Sequence, residues 1–325
     1  MTMHRILSIN LRAFDGTPNT QTTLLDKLSP ELQDFYDKAL IHAAQPELVH
    51  AQFGQKKPIP ANNGKTIQFR KFVRLPKLTK PLTEGVTPDG QAIEIVDLEQ
   101  TVQQYGGYVT LSDVLQLTAR DPMLTETTME IGAQGGLTLD TVIRESLNAG
   151  TNVQYAEGQA DSRAELTADC KLTVKAVKMA VNTLKKAHAS RIDGDYIGII
   201  HPDVSFDLME DEAWKAPHEY QDTTNLYDGE IGKIHGVRFV ETTEAKIFDG
   251  GVYSTLILGA NAYGVIDITG GGMKTIVKPN GSGGTSDPLD QRATVGWKGM
   301  QAALIISDEY IVRVETKSTF NGDAN

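Results

Sequence analysis

Cysteine is all but missing from this 325-residue chain, and Cys170 is the only one present. Without a second thiol, an intrachain disulfide and a thiolate metal cluster are both excluded, and the chain suits a reducing compartment. Aromatic residues are few, at 6%, which speaks against a large aromatic binding surface. Positive charge is in deficit: 31 Lys and Arg stand against 42 Asp and Glu, for a formal charge of -11. A protein built to grip phosphate backbones normally carries the opposite sign, because its affinity comes from Lys and Arg displacing counterions. Long apolar runs are also lacking. The longest uncharged stretch, residues 250–266, is interrupted by Gly, Ser, Thr and Asn and falls short of the ~18 residues a membrane helix needs. It predicts buried strands around a turn. Residues 1–14 show neither the apolar core nor the small-residue cleavage site of a secretory signal.

Catalytic spacings are absent too. The nearest approach to a phosphate loop is Asn63-Gly64-Lys65-Thr66, but Ile59 stands where the loop needs its first glycine. Residues from Ile67 onward alternate as a strand instead of opening a helix, so these four residues read as a turn. Gly281-Ser282-Gly283-Gly284 has no following helix to supply a dipole for an anion and reads as a loop. The seven histidines, at 4, 42, 50, 188, 201, 218 and 235, form no His-x-x-x-His pair, so no zinc site is expected. His201 sits at a predicted strand end before Pro202, where a turn or capping role outweighs a catalytic one. Cys170 could pair with a histidine as a thiol nucleophile only if the fold joined them, and no spacing suggests it. No cofactor is implied.

What is present is a soluble, turn-rich composition, with 40% hydrophobic residues, 22% charged residues and 30 glycines. The length suits two ordinary domains. Residues 1–54 read as an arm. Ser29-Pro30-Glu31 is a helix start, and Leu32, Phe35, Ala39, Leu40 and Ala43 follow at helical spacing. One such helix cannot bury its own stripe and must dock elsewhere.

From residue 55 to 113 the period becomes two. Ile67, Phe69, Val73 and Leu75 alternate with Gln68, Arg70 and Arg74, and a second strand-like run covers 93–111. Residues 76–90 between them are rich in turn formers. Residues 65–75 as a strand would reach roughly 35 Å at about 3.3 Å per residue. The segment therefore predicts a two-stranded arm with a polar tip. A lone ribbon is marginally stable in water, so a projecting one implies a partner surface. Its charges, Arg70, Lys71, Arg74, Lys77 and Lys80 with Glu84 and Asp89 near the tip, fit either a guarded sheet edge or pairing with carboxylates of a neighbouring subunit.

A long helix is predicted over 122–149, opened by Asp121-Pro122 and closed by Gly150. Gly132, Gly135 and Gly136 interrupt its middle, at about 1 kcal/mol each relative to Ala. Either a neighbouring backbone approaches closely there or the helix is built to bend. A helix over 173–188 has Val174, Val177, Val181 and Leu184 on one face and Lys175, Lys178, Lys185 and Lys186 on the other, the latter read as a solvated face. Strands are expected at 196–200, 237–241, 253–258, 263–268 and 274–278, with a helix at 203–209. The last forty residues predict two long strands, 293–306 and 310–316, paired across Ser307-Asp308-Glu309.

Six runs then resemble one family of tailed-phage major capsid proteins: GKTIQFRKF (64–72), PLTEGVTPDG (81–90), QYGGYV (104–109), IHPD (200–203), IGKIHGVRFVET (231–242) and DPLDQRATVGWK (287–298). The family is typified by the podophage that carries its own virion RNA polymerase, and the likeness runs in order from about 60 to 315. It implies an α+β tailed-phage major capsid fold of the Hong Kong phage type. Its parts would be an N-terminal arm (1–54), an extended loop with its strands (55–111), a peripheral domain with the spine helix (112–167), an axial domain (168–284) and peripheral return strands (285–325). It implies self-assembly into hexamers and pentamers that form an icosahedral head around double-stranded DNA, without sequence-specific binding and without a membrane. Portal and scaffolding or decoration proteins are the implied further partners, the virion the location, and the host cytoplasm the place of assembly. A head that matures by expansion would use the three glycines as a bend in the spine helix. Two other readings are an encapsulin-type nanocompartment shell and a soluble α+β hydrolase using His201 and Asp203.

Overall fold

The computed structural model describes residues 38–40, 43, 48–60, 64–82, 84–85, 87, 89–120, 122–214, 232–266, 272–284, 287–320 and 322–325. The predicted arm helix at 29–43 lies outside these residues except for Lys38–Leu40 and Ala43, which are helical.

Two sheets and a ribbon organise the chain. Strands β1 (Gln55–Lys56), β4 (Gln103–Ser112), β11 (Tyr263–Ile266), β12 (Lys274–Lys278) and β13 (Arg292–Ile305) form the first sheet. β13 is its axis: residues 292–301 pair with β4, 294–298 with β12, and 302–305 with β11, all antiparallel. The second sheet holds β5 (Val153–Tyr155), β14 (Ile311–Thr316), β10 (Val252–Leu258), β6 (Tyr196–Ile200), β8 (Val237–Glu241) and β7 (Lys233–Ile234) in that order, with β9 (Ile247–Phe248) against β10. β2 (Thr66–Phe72) and β3 (Ile95–Thr101) pair only with each other.

The helices cover these sheets. α1 (Asp113–Thr118) follows β4 and is capped by Ser112, whose Oγ accepts from Leu115 N. α2 (Met123–Asn148) runs unbroken for 26 residues and packs on β13 and β4. Its buried Ile131, Leu139, Ile143 and Leu147 recur at multiples of a helical turn. Ile131 and Leu139 join Leu40, Leu111, Val295 and Trp297 in one core, while Ile143 and Leu147 reach a second core with Ile197, Ile199, Leu256 and Leu258. α2 thus touches both sheets. α3 (Val174–Lys186) and α4 (Pro202–Glu210) bury their apolar faces with the second sheet in the largest cluster.

The uncharged run at 250–266 does form two buried strands around a turn, but β10 and β11 go to different sheets. The final two strands depart from expectation. β13 and β14 are not paired; the 3-10 turn Asp308–Tyr310 carries the chain from one sheet to the other. A short turn between two apolar runs is compatible with a hairpin or a sheet change. β14 finds more buried partners between β5 and β10, where it pairs over six residues with β10.

Candidate functional site

The exposed ribbon is where the surface is least self-sufficient. Its first strand ends at Phe72, so Val73 and Leu75 lie beyond it. The run expected at 93–111 is two strands broken at Val102, which is buried and donates its N–H to Lys65 O at 2.9 Å. Beyond that break β3 leaves the first sheet and turns back along β2. The pleat then sorts side chains by face. Phe69 lies opposite Leu98, and Phe69 is buried with Ile59, Val102, Ile266 and Ala302. The Phe69 ring lies directly over Gly264, whose missing side chain makes room for it: a Cβ there would come within 2.6 Å of the ring. The ribbon base is therefore seated on the body of its own chain, and only the part beyond it projects.

The other face holds Gln68 opposite Glu99, Arg70 opposite Asp97 and Phe72 opposite Ile95. Arg70 Nε lies 3.3 Å from Asp97 Oδ1, both side chains being mostly exposed. Its charge is spent within the ribbon, in a pair of the kind worth little in water. Lys71 is half-buried, whereas Arg74, Lys77, Lys80, Glu84 and Asp89 are exposed beyond the strands. The charges marked in the sequence therefore lie along one projection, but they do not converge on a point.

The apolar residues there were missed by attention to charge. Among the described residues, thirteen of nineteen large exposed hydrophobic residues fall between 72 and 117: eight at 72–96, among them Phe72 at 65%, Leu78 at 78%, Leu82 at 76% and Ile93 at 62% exposure, and five on β4 and α1, among them Tyr108 at 76% and Leu117 at 84%. Scattered exposed apolar residues are ordinary, but a concentration of this kind marks an interaction surface. The signal was legible in principle: Phe72-Val73 and Leu75, Leu78 and Leu82 fall where strict alternation fails. Between the ribbon and the body runs a groove of about 750 Å³, with Phe72, Val73 and Val96 on one wall and Ile305 and Tyr310 on the other.

The long helix α2 is the second part of the site. Gly132 and Gly135 are places of close approach. A Cβ on Gly132 would lie 2.7 Å from the Leu40 carbonyl oxygen, and one on Gly135 would lie 2.7 Å from Met273 Sδ and 3.1 Å from the Trp297 ring. Gly136 is buried. One of the two readings of these glycines, a neighbouring backbone pressed against the helix, is thus what the fold contains. The far end of α2 is held by charge. Arg313 donates to the carbonyls of Asn148 and Gly150, a cation at the negative end of the helix dipole. Arg313 in turn shares the fully buried Glu315 with Arg163, whose Nε and Nη2 both lie 2.7 Å from its carboxylate.

His201 has a structural task. It is the N-cap of α4, its Nδ1 accepting from Asp203 N at 3.2 Å. In the neutral ring the cap engages the basic nitrogen Nδ1, which also lies 3.4 Å from Asp203 Oδ2. Burial holds the imidazole below its ordinary pKa despite nearby Asp203. Asp203 itself accepts from Tyr253 Oη at 2.6 Å, and burial, followed by that bond, raises the phenol well above its usual value. Cys170 is buried, with Thr167 Oγ1 as its side-chain neighbour at 3.4 Å. Among the described residues no group of three or more His, Cys, Asp or Glu is placed to hold a metal, and no helix is long and apolar enough to cross a membrane.

Residues 95–314 match the family model described as phage capsid protein. No curated protein sequence matches the chain. Among solved structures, the capsid of Ralstonia phage GP4 aligns with a TM-score of 0.64 at 14% identity, covering 95% of this chain and 98% of that one. The cyanophage Pam1 capsid aligns at 0.63 and 14%, covering 81% and 87%. A virus-like particle from Pyrococcus furiosus aligns at 0.53 and 12%, covering 87% and 99%. At these identities the likeness speaks for the fold, which is the mixed α+β capsid fold that the sequence runs implied.

Proposed function

The chain belongs to the phage capsid protein family, and from that premise we propose that it is the major capsid protein of a tailed phage, assembling with copies of itself into the icosahedral head. The observation that carries the reading is the clustering of exposed apolar side chains on residues 72–117. Water penalises each of them at about 25 cal/mol per Å², and neighbouring copies supply the missing cover. The finer reading, a shell of the podophage kind made of hexamers and pentamers, rests on the sequence runs at 64–109 and 231–298.

In this reading the ribbon is the extended loop, α2 the spine helix, residues 168–284 with α3, α4, β6, β8 and β10 the axial domain, and the closing strands from 285 the return to the peripheral domain. Arg74, Lys77, Lys80, Glu84 and Asp89 are exposed and available to a neighbour, Lys71 stands half-buried at the ribbon's edge, and Arg70 acts through its pair with Asp97. Gly132, Gly135 and Gly136 serve as a flexible stretch of the spine during head expansion, in addition to the close approach that two of them allow. Portal and scaffolding or decoration proteins complete the partners, and assembly takes place in the host cytoplasm. The family matched is one of phage capsid proteins, which disfavours the nanocompartment reading. The cap formed by His201 engages the nitrogen that the hydrolase reading needs as its base.

Electron microscopy of the purified protein is the test. Closed shells are expected from the wild type. Leu78→Ser/Leu82→Ser should keep the circular dichroism and melting temperature of the subunit while yielding no shells. A wild type that stays a compact monomer at high concentration would remove the reading.

A further inference from the structure

Against the acidic balance of the chain, cations gather at the hairpin between β7 and β8. His235 and Gly236 both have positive φ, at 50° and 79°, and the strands pair as Lys233 with Arg238 and Ile234 with Val237. This is a two-residue turn of the mirror-image kind that suits hairpins. Asn, Asp or Gly usually fills its first position, so a histidine there accepts backbone strain. Cations surround it. Lys178 and Lys185 on α3 act on the His235 ring, and the Arg191 guanidinium lies 3.8 Å from where a Gly236 Cβ would be. Lys233 and Arg238 stand directly opposite each other, a like-charge pairing that costs stability. Among the described residues the one carboxylate ion-paired to any of these groups is Asp195, taken by Lys233 at 2.6 Å.

A second copy of the chain or a polyphosphate could neutralise such a cluster, and the surface between the cations distinguishes them. Protein interfaces have an apolar centre. Here the exposed residues between the two lysines include Asn182 and Thr183, and no large exposed hydrophobic residue lies at 182–191 or 233–238. Met179 is the nearest, and its methyl faces the Gly158 loop. A polar, positive, apolar-poor surface matches a phosphate backbone. Lys178 and Lys185 are two turns apart, about 10 Å along the helix, a spread suited to a polyanion more than to one small ion.

We propose that the exposed face of α3 together with the His235-Gly236 turn is a contact for the phosphate backbone of double-stranded DNA, independent of base sequence. The inference rests on the reading that the chain encloses a DNA genome. One patch of this kind on a chain of formal charge -11 gives a weak, salt-sensitive touch and not a tight grip. Partial burial, then the two lysines, hold the His235 imidazole below its ordinary range. A phosphate between those cations stabilises the imidazolium. Binding therefore strengthens as the pH falls. The charged groups about the turn are Lys178 and Lys185 on α3, which act on the ring, Arg191 beside Gly236, and Lys233 and Arg238 on the flanking strands, with Asp195 paired to Lys233.

The test is fluorescence anisotropy of labelled double-stranded DNA with purified subunits across salt and pH, and electron microscopy of the same samples. Lys178→Gln/Lys185→Gln should weaken binding about tenfold at about 50 mM salt and reduce the slope of log K against log salt by about 2. Lys178→Arg/Lys185→Arg should bind as the wild type, and His235→Gln should lose the gain at low pH. No binding by the wild type, or equal binding by the Gln variant, overturns the proposal. So does unchanged DNA binding combined with loss of shells, which would assign the patch to a second copy. A wild type that binds DNA in this way but forms no shell would sustain the DNA contact and remove the capsid reading.

Discussion

His50 and Asp140 are ninety residues apart in sequence and form a fully buried pair, with His50 Nδ1 2.6 Å from Asp140 Oδ2 and His50 N donating to Asp140 Oδ1 at 2.8 Å. Tyr263 Oη donates to the carbonyl of His50 at the same place. The segment leading to β1 is thus tied to the middle of α2 and to β11 at once. Removing one partner of such a pair leaves the other buried and unmatched, at a cost of about 3 kcal/mol. Asp140→Ala should lower the unfolding free energy of the subunit by about that amount, read as a lower denaturation midpoint at unchanged slope. A shift below about 1 kcal/mol would mean that the segment is held by Leu40 and Val49 alone.

Gly132→Ala sets two effects against each other. Helix propensity favours Ala by about 1 kcal/mol. The new methyl would meet the Leu40 carbonyl at 2.7 Å, a backbone atom that cannot rotate away, and overpacking of this kind costs about 1–3 kcal/mol. The clash is expected to win. Limited proteolysis should cut the variant sooner between residues 38 and 50, with a lower melting temperature. A melting temperature at or above that of the wild type would show that the segment can shift freely.

Phe69 is the hook that seats the ribbon. Phe69→Ala removes a ring buried against Gly264, for about 3 kcal/mol at a core site. Hydrogen exchange at 66–72 and 95–101 should accelerate far more than exchange in β10. Uniform acceleration would instead mean that the ribbon and body unfold as one unit.

Asp207 gives a pH dependence. Burial alone would raise its pKa, but hydrogen bonds from Thr319 and Ser318, with Lys171 nearby, outweigh it and hold the carboxyl below its ordinary value. A carboxylate with a depressed folded pKa contributes its full stability above the unfolded value of about 3.9, and loses it as the pH falls through the folded one. Asp207→Asn should therefore cost stability at pH 7 and narrow its gap from the wild type below about pH 4. A gap that stays constant with pH would show that the contribution is packing alone.

Strands β6, β8 and β12 were placed to the residue by sequence, because a run of apolar or alternating side chains is a local property that the chain carries wherever it folds. The His201 cap was legible for the same reason: Pro202 at the first helical position needs a residue before it to end the strand. The His50–Asp140 pair and the Glu315 cluster carry no such signal. Their members are 90 and 152 residues apart, and nothing local distinguishes a buried Asp from a solvated one. The exposed ribbon lies between these cases. Its strands and turn were evident, but attention to charge hid the apolar side chains that distinguish its surface.

By itself the sequence determined the elements, the acidic balance, the lack of a thiol pair or metal spacing, and the family to which residues 95–314 belong. Tertiary structure decided which strands became neighbours. It sent β13 and β14 to different sheets, broke one run at Val102, and set the ribbon base on Gly264 while leaving Leu78 and Leu82 in water. The reason is physical: periodicity says which face of a strand is apolar, but the partner that covers it is chosen by competition among all the surfaces the chain brings together.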